Sequence, residues 1–155
     1  MVMGAKEMIE ERCMRVLIVE DNKADARLVR ALLEETGMPT QITLVGDGEK
    51  AIQVMESAAK GNGQAPDLVL LDINLPKKNG HEVLASIRDS ASIANTFIAM
   101  CSGSSSCEDI RRSRNNGANA YLLKPMGLEE MEEIIARLRN ILISLNERPN
   151  LVMTV

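Results

Sequence analysis

LVLLDINLPKKNG, residues 68–80, sets the frame for the whole chain. A half-exposed strand would alternate polar and apolar residues, so four apolar residues in a row suit a strand buried on both faces. The run delivers Asp72, and Pro76 to Gly80 then forms a loop before a helical pattern begins. Working outward, VLIV (16–19) and FIAM (97–100) are two more such runs, and the shorter YLL (121–123) leads into Lys124. Each ends on a group able to do chemistry: Glu20 and Asp21 after the first, Asp72 after the second, Ser102 a short step past the third. In a parallel sheet the carboxyl ends of the strands share one edge, so three carboxylates, a hydroxyl and an ammonium should converge there.

Helical signals fill the gaps. Ala24, Leu28, Ala31 and Leu32 recur at helical spacing until Gly37, with Pro39 beyond. Residues 40–45 read as a second strand, Gly46-Asp47-Gly48 as a turn, and a helix carrying Ala51, Ile52 and Met55 runs to the break at Gly61-Asn62-Gly63. Helices are expected at about 80–89 and 107–115, the latter with N-cap hydroxyls from Ser104 to Ser106. A fifth strand at 119–123 precedes a long helix starting near Leu128. Strict alternation implies βαβ units with right-handed crossovers, hence an α/β fold with a parallel sheet covered on both faces. The first strand is expected at about 15–20. The division is then a loosely packed leader (1–14), one domain (15–146) and a tail (147–155).

Composition narrows the classes. A chain of 155 residues holds one sizeable core. With a net charge of −4, no Trp, and Phe97 and Tyr121 as the only aromatics, it offers neither a basic groove nor a stacking platform, so direct nucleic-acid binding is not expected. Three cysteines without CxxC spacing (Cys13, Cys101, Cys107) fit neither a zinc site nor a disulfide framework, and read as reduced thiols in a cytosol. Cys101 should be buried and inert. No run has signal-peptide or membrane-spanning length, so a soluble, unexported protein is expected.

VLIVEDN, LVLLDINLPKKNG, the MCSGSS stretch and GANAYLLKP together resemble, in order and spacing, the receiver domain of two-component response regulators over roughly 15–145. The resemblance implies a flavodoxin-like, doubly wound, five-stranded parallel sheet of order 2-1-3-4-5. It implies Asp72 as phosphoacceptor. Mg²⁺ would be held by Asp21, Asp72 and the backbone carbonyl of Asn74, and by Glu20 through a water. An aspartate and a phosphoryl group repel, so a cation must neutralise both, and magnesium prefers oxygen donors. Lys124 would supply a point charge to the phosphoryl oxygens, and Ser102 would donate to the new phosphoryl group in a movement coupled to Tyr121. The Lys124–Pro125 bond is cis in the family. The partners implied are a sensor histidine kinase and a downstream protein target, with no enzymatic activity beyond self-catalysed phosphotransfer and dephosphorylation. Asn74 and GANAYLLKP look most like receiver-only partners of phytochrome-type and multi-sensor kinases.

Each assignment has a plainer competitor. Acidic residues after buried strands also cap helices, Ser102 and Ser104 to Ser106 also serve as loop hydroxyls, and Tyr121 also suits a core aromatic with a wet hydroxyl. His81, the only histidine, reads as an exposed helix residue; Arg111, Arg112 and Arg114 as a solvated face; the ten methionines as gap fillers. A phosphorylation-independent pseudo-receiver scaffold is the alternative, but its expected mark is loss of Asp72, Lys124 or the acidic pair. A flavodoxin-like cofactor protein needs a phosphate-cradling loop where Glu20-Asp21-Asn22 would repel phosphate. In the last helix Leu128, Met131, Ile135, Leu138, Leu142 and Leu145 form a stripe that Ile134 and Ile141 widen. It is longer than a short sheet needs. With the apolar tail at 151–155, this leads to the expectation of a homodimer on the face of the fourth helix, fifth strand and fifth helix.

Overall fold

The computed structural model describes residue 4 and residues 13–147, excepting the side chains of 145–147. The elements run β1 (Met14–Val19), α1 (Lys23–Glu35), β2 (Thr40–Val45), α2 (Gly48–Ala59), β3 (Leu68–Asp72), α3 (Gly80–Asp89), a 3-10 turn (Ala91–Ile93), β4 (Phe97–Ser102), α4 (Cys107–Asn115), β5 (Ala120–Leu123) and α5 (Leu128–Glu147). The five strands pair in parallel in the order β2-β1-β3-β4-β5. This is the doubly wound α/β architecture expected from the alternation of buried runs and helical stretches.

Successive strand side chains point to opposite faces, which divides the core in two. Val16, Ile18, Leu68, Leu70, Phe97 and Ala99 meet Val29, Leu32 and Leu33 of α1 and Met131, Ile134, Ile135 and Leu138 of α5. Leu17, Val19, Val69, Leu71, Ile98 and Met100 meet Ala51 and Met55 of α2 and Val83, Leu84 and Ile87 of α3. Helix starts are fixed by side-chain caps from Asn22, Asp47, Asn79 and Ser106, the Asn79 cap being completed as a capping box by Glu82.

Three boundaries or faces differ from expectation. β1 begins at Met14, which is fully buried and donates its N–H to the Pro39 carbonyl, so the chain is ordered one residue before the expected strand. β4 extends through Ser102 because that residue pairs with Leu123 of β5. In α1 the buried face is Ala26, Val29, Leu32 and Leu33, while Ala24, Leu28 and Ala31 face solvent. Two apolar stripes overlap at Leu32, and the sheet receives the one carrying the β-branched Val29. Leu145 as a stripe residue and the tail lie outside the described side chains.

At the edge of the sheet away from the strand carboxyl ends, Arg88 acts as a clamp. Its guanidinium donates to the carbonyls of Gly117 (2.9 Å), Ala94 (2.7 Å) and Thr96 (2.8 Å) and to Asn119 Oδ1 (2.9 Å), which also accepts the Ile98 N–H (2.8 Å). Arg88→Met keeps the aliphatic stem and removes these bonds. It is expected to cost about 2 kcal/mol in urea unfolding while leaving the chemistry at the opposite edge intact.

Candidate functional site

β1 hands over directly to Glu20 and Asp21, β3 ends on Asp72, β4 ends on Ser102, and β5 leads into Lys124. Parallel pairing therefore gathers all five at one edge. Glu20, Asp72 and Ser102 are buried, and Asp21 is exposed at the mouth. One carboxylate oxygen from each of Glu20, Asp21 and Asp72 lies within 4.8 Å of the others.

Lys124 Nζ donates to Glu20 Oε1 and to Asp25 Oδ2 (3.2 Å), and stands 3.5 Å from Asp72 Oδ1. Asp72 Oδ1 also accepts the Asn74 N–H at 3.3 Å, and Glu20 Oε2 accepts the Asn22 N–H at 3.2 Å. The Lys124–Pro125 bond is cis. Ser102 Oγ accepts the Ser104 N–H (3.0 Å), and the Tyr121 hydroxyl donates to the Ser104 carbonyl (2.8 Å), so both side chains hold the same loop residue.

Burial pushes the Glu20 carboxyl above its ordinary value. The Lys124 ammonium and the Asn22 N–H oppose that push, and the nearby Asp72 charge adds to it. Burial alone would lower Lys124, but Glu20, Asp72 and Asp25 together reverse the effect and leave it above its ordinary value. The ammonium is therefore permanently charged at neutral pH. The cluster presents only oxygen donors, with the carboxylates of Glu20, Asp21 and Asp72 set beside one half-buried ammonium that Asp25 also contacts. That donor set fits a hard divalent cation such as Mg²⁺ or Mn²⁺.

Asp25 is the residue of this neighbourhood that the sequence did not mark out. An acid in the first turn of a helix ordinarily answers the helix dipole, and nothing local announces that Lys124, far along the chain, folds onto it. His81 requires a correction: it is buried rather than exposed, with Nε2 3.2 Å from Asp109 Oδ1 of α4. A polar residue beside Asn79 and Gly80 looks solvated until α4 closes over it. Arg111, Arg112 and Arg114 are exposed.

The model of the response regulator receiver domain matches residues 16–136. The chain belongs to that family. It is 33% identical over 134 residues to the probable methanogenesis regulatory protein FilR2 of Methanothrix harundinacea, covering 86% of each. It is 32% identical over 121 residues to response regulator Rcp1 of Synechocystis, covering 77% of this chain and 82% of that one. Among solved receivers, the phosphorylated cyanobacterial phytochrome response regulator RcpA superposes with a TM-score of 0.69 at 33% identity, over 88% of this chain and 93% of its own. An Mn²⁺-bound form of Rcp1 gives 0.67 at 28% identity, over 92% and 96%. In this receiver no helix among the described residues is long and apolar enough to cross a membrane.

Thiol chemistry gives a check on the sheet edge. Burial pushes the Cys101 thiol up to about 12, whereas Cys13 and Cys107 are exposed. Ellman's reagent at pH 8 is expected to count two fast thiols in the native receiver and a third only on unfolding. Three fast thiols would mean that β4 opens readily.

Proposed function

We propose that this receiver is a switch in a two-component pathway that accepts a phosphoryl group on Asp72 from the phosphohistidine of a sensor histidine kinase. The observation that supports it most is the clustering of Glu20, Asp21 and Asp72 with Lys124 Nζ 3.5 Å from Asp72 Oδ1. Glu20, Asp21, Asp72 and the Asn74 carbonyl would hold Mg²⁺, which when bound offsets the repulsion between the carboxylate and the phosphoryl oxygens.

The chain's own groups do the rest. An Asp72 carboxylate oxygen attacks phosphorus, the new O–P bond forms as the N–P bond breaks, and the released imidazole takes up a proton. Burial of Asp72 limits the water that competes with this attack. Lys124, charged and already poised between Glu20, Asp25 and Asp72, turns to the added negative charge. Ser102 releases its Ser104 partner to donate to the phosphoryl group, which alters the loop that Tyr121 also holds. The output is a changed protein-protein contact.

Two measurements test this reading. With Mg²⁺ at ten times its Kd, mass action should add about 1.4 kcal/mol, raising the melting temperature by about 4 °C, and Asp21→Ala should remove the rise. A wild-type melt insensitive to Mg²⁺ contradicts the metal assignment. Candidate kinases carrying labelled phosphohistidine should lose label to the receiver; a scaffold that works without phosphorylation would take none.

The proposal extends to a homodimer on the α4, β5 and α5 face, supported by exposed Leu123 on β5 and exposed Ile141 on α5. Sedimentation at micromolar concentration should show a dimer that Ile141→Glu weakens. A strict monomer, with and without beryllofluoride, rejects it.

A further inference from the structure

α4 is the helix that the core holds least. Of its residues Cys107–Asn115 only Ser113 is buried, Asp109 and Ile110 are half-buried, and the others face solvent. Every other helix contributes at least two apolar side chains to one of the two buried clusters, and α4 contributes none. Even the buried Ser113 hydroxyl has no hydrogen-bond partner among the described residues.

Against this weak seating stands one polar tie to a well-packed element. His81 is 4% exposed in the first turn of α3, and its Nε2 lies 3.2 Å from Asp109 Oδ1. Its Nδ1 has no partner among the described residues, so Asp109 is the ring's one polar anchor there. Losing that contact would leave the buried imidazole unsatisfied at both nitrogens. The turn that carries His81 is itself fixed to the acceptor strand. Gly80 N–H donates to the Ile73 carbonyl at 2.8 Å, and its α-carbon sits so close that a Cβ would stand 2.4 Å from the Asp72 carbonyl oxygen. A continuous chain of contacts therefore runs from Asp72 through Gly80 and His81 to α4, whose leading loop is held from the other side by Ser102 and Tyr121.

We propose that the His81–Asp109 hydrogen bond is a latch that holds α4 in its resting seat, with His81 as the positioning residue, and that the latch opens when Asp72 is modified. The latch rests on the phosphoacceptor reading of Asp72 given above. Once Ser102 turns away from Ser104, the loop entering α4 loses a fixed point, and Asp109, in the first turn of the helix, moves off His81. A helix with so little apolar anchoring can occupy two seats of similar energy. One net hydrogen bond then shifts their ratio about two- to tenfold.

The test uses the full chain with Asp109→Ala, His81→Phe and Glu108→Ala. The last removes the neighbouring first-turn charge without touching His81, so it isolates the latch from the helix dipole. Hydrogen exchange at the α4 amides is expected to quicken about two- to tenfold in Asp109→Ala and His81→Phe relative to Glu108→Ala. Beryllofluoride binding in Mg²⁺, followed by emission of Tyr121, the only tyrosine in a chain without Trp, should tighten by the same factor in Asp109→Ala. If His81→Phe fails to fold, the Asp109→Ala and Glu108→Ala pair decides alone. Equal α4 exchange in those two variants overturns the latch, and so does an unchanged or weakened beryllofluoride affinity in Asp109→Ala. A wild type that binds no beryllofluoride overturns the Asp72 reading instead, and the exchange comparison still decides whether the tie holds α4.

Discussion

Asp72→Asn is expected to take up no phosphoryl label from a small phosphodonor, yet to melt slightly above the wild type in Mg²⁺-free buffer. Loss of label follows from the amide, which is not a nucleophile toward phosphorus. The gain in stability follows from the charges. Asp72 shares its edge with Glu20 and Asp21, with oxygens of all three within 4.8 Å, and faces one ammonium at 3.5 Å. Neutralising it removes two repulsions and one attraction of similar range, so the balance favours the variant, by about 0.5–1 kcal/mol after solvent screening. The geometry survives, because an asparagine Oδ1 still accepts the Asn74 N–H and Lys124 keeps Glu20 and Asp25. Equal label on both proteins would place the acceptor elsewhere.

Gly80→Ala is expected to be strongly destabilising at the acceptor strand end. A Cβ there would lie 2.4 Å from the Asp72 carbonyl oxygen and 2.7 Å from the Ile73 α-carbon, both main-chain atoms that cannot swing aside as a side chain would. Relief requires α3 to back away from β3, breaking the 2.8 Å bond from Gly80 N–H to the Ile73 carbonyl. The cost is about 3 kcal/mol, with slower phosphorylation because the acceptor strand end shifts. Gly46→Ala is the control, since a Cβ at Gly46 meets nothing within 4 Å. Matching urea midpoints for the two variants would show that the junction of β3 and α3 yields freely.

The fold was legible because its strands are unusually plain. VLIV, LVLL and FIAM are buried on both faces, and the polar residue that ends each run marks the functional edge without knowledge of the tertiary structure. Helix-start signals act locally, so the helices expected at about 80–89 and 107–115, the latter capped from the Ser104 to Ser106 stretch, begin where they were read. What could not be read depends on partners distant in sequence. His81 is buried because Asp109, 28 residues on, turns back over it. Asp25 joins the site because Lys124, 99 residues on, reaches it. Arg88 looks like an ordinary last-turn basic residue until the carbonyls of Gly117, Ala94 and Thr96 converge on it. The face of α1 was misjudged because Ala24, Leu28 and Leu32 keep helical spacing as well as Val29 and Leu33 do, and only the sheet chooses between them.

The central claim is that Glu20, Asp21, Asp72 and Lys124 form a divalent-ion-dependent phosphoacceptor site. The most direct test is to expose the wild-type chain to a small phosphodonor with and without Mg²⁺, reduce the product with borohydride, and map the reduced residue by mass spectrometry. An acyl phosphate is reduced to the alcohol, so the account predicts a single converted residue, at position 72, formed only when the divalent ion is present. Conversion at another carboxylate, or equal conversion at Asp72 with the ion chelated away, would contradict it.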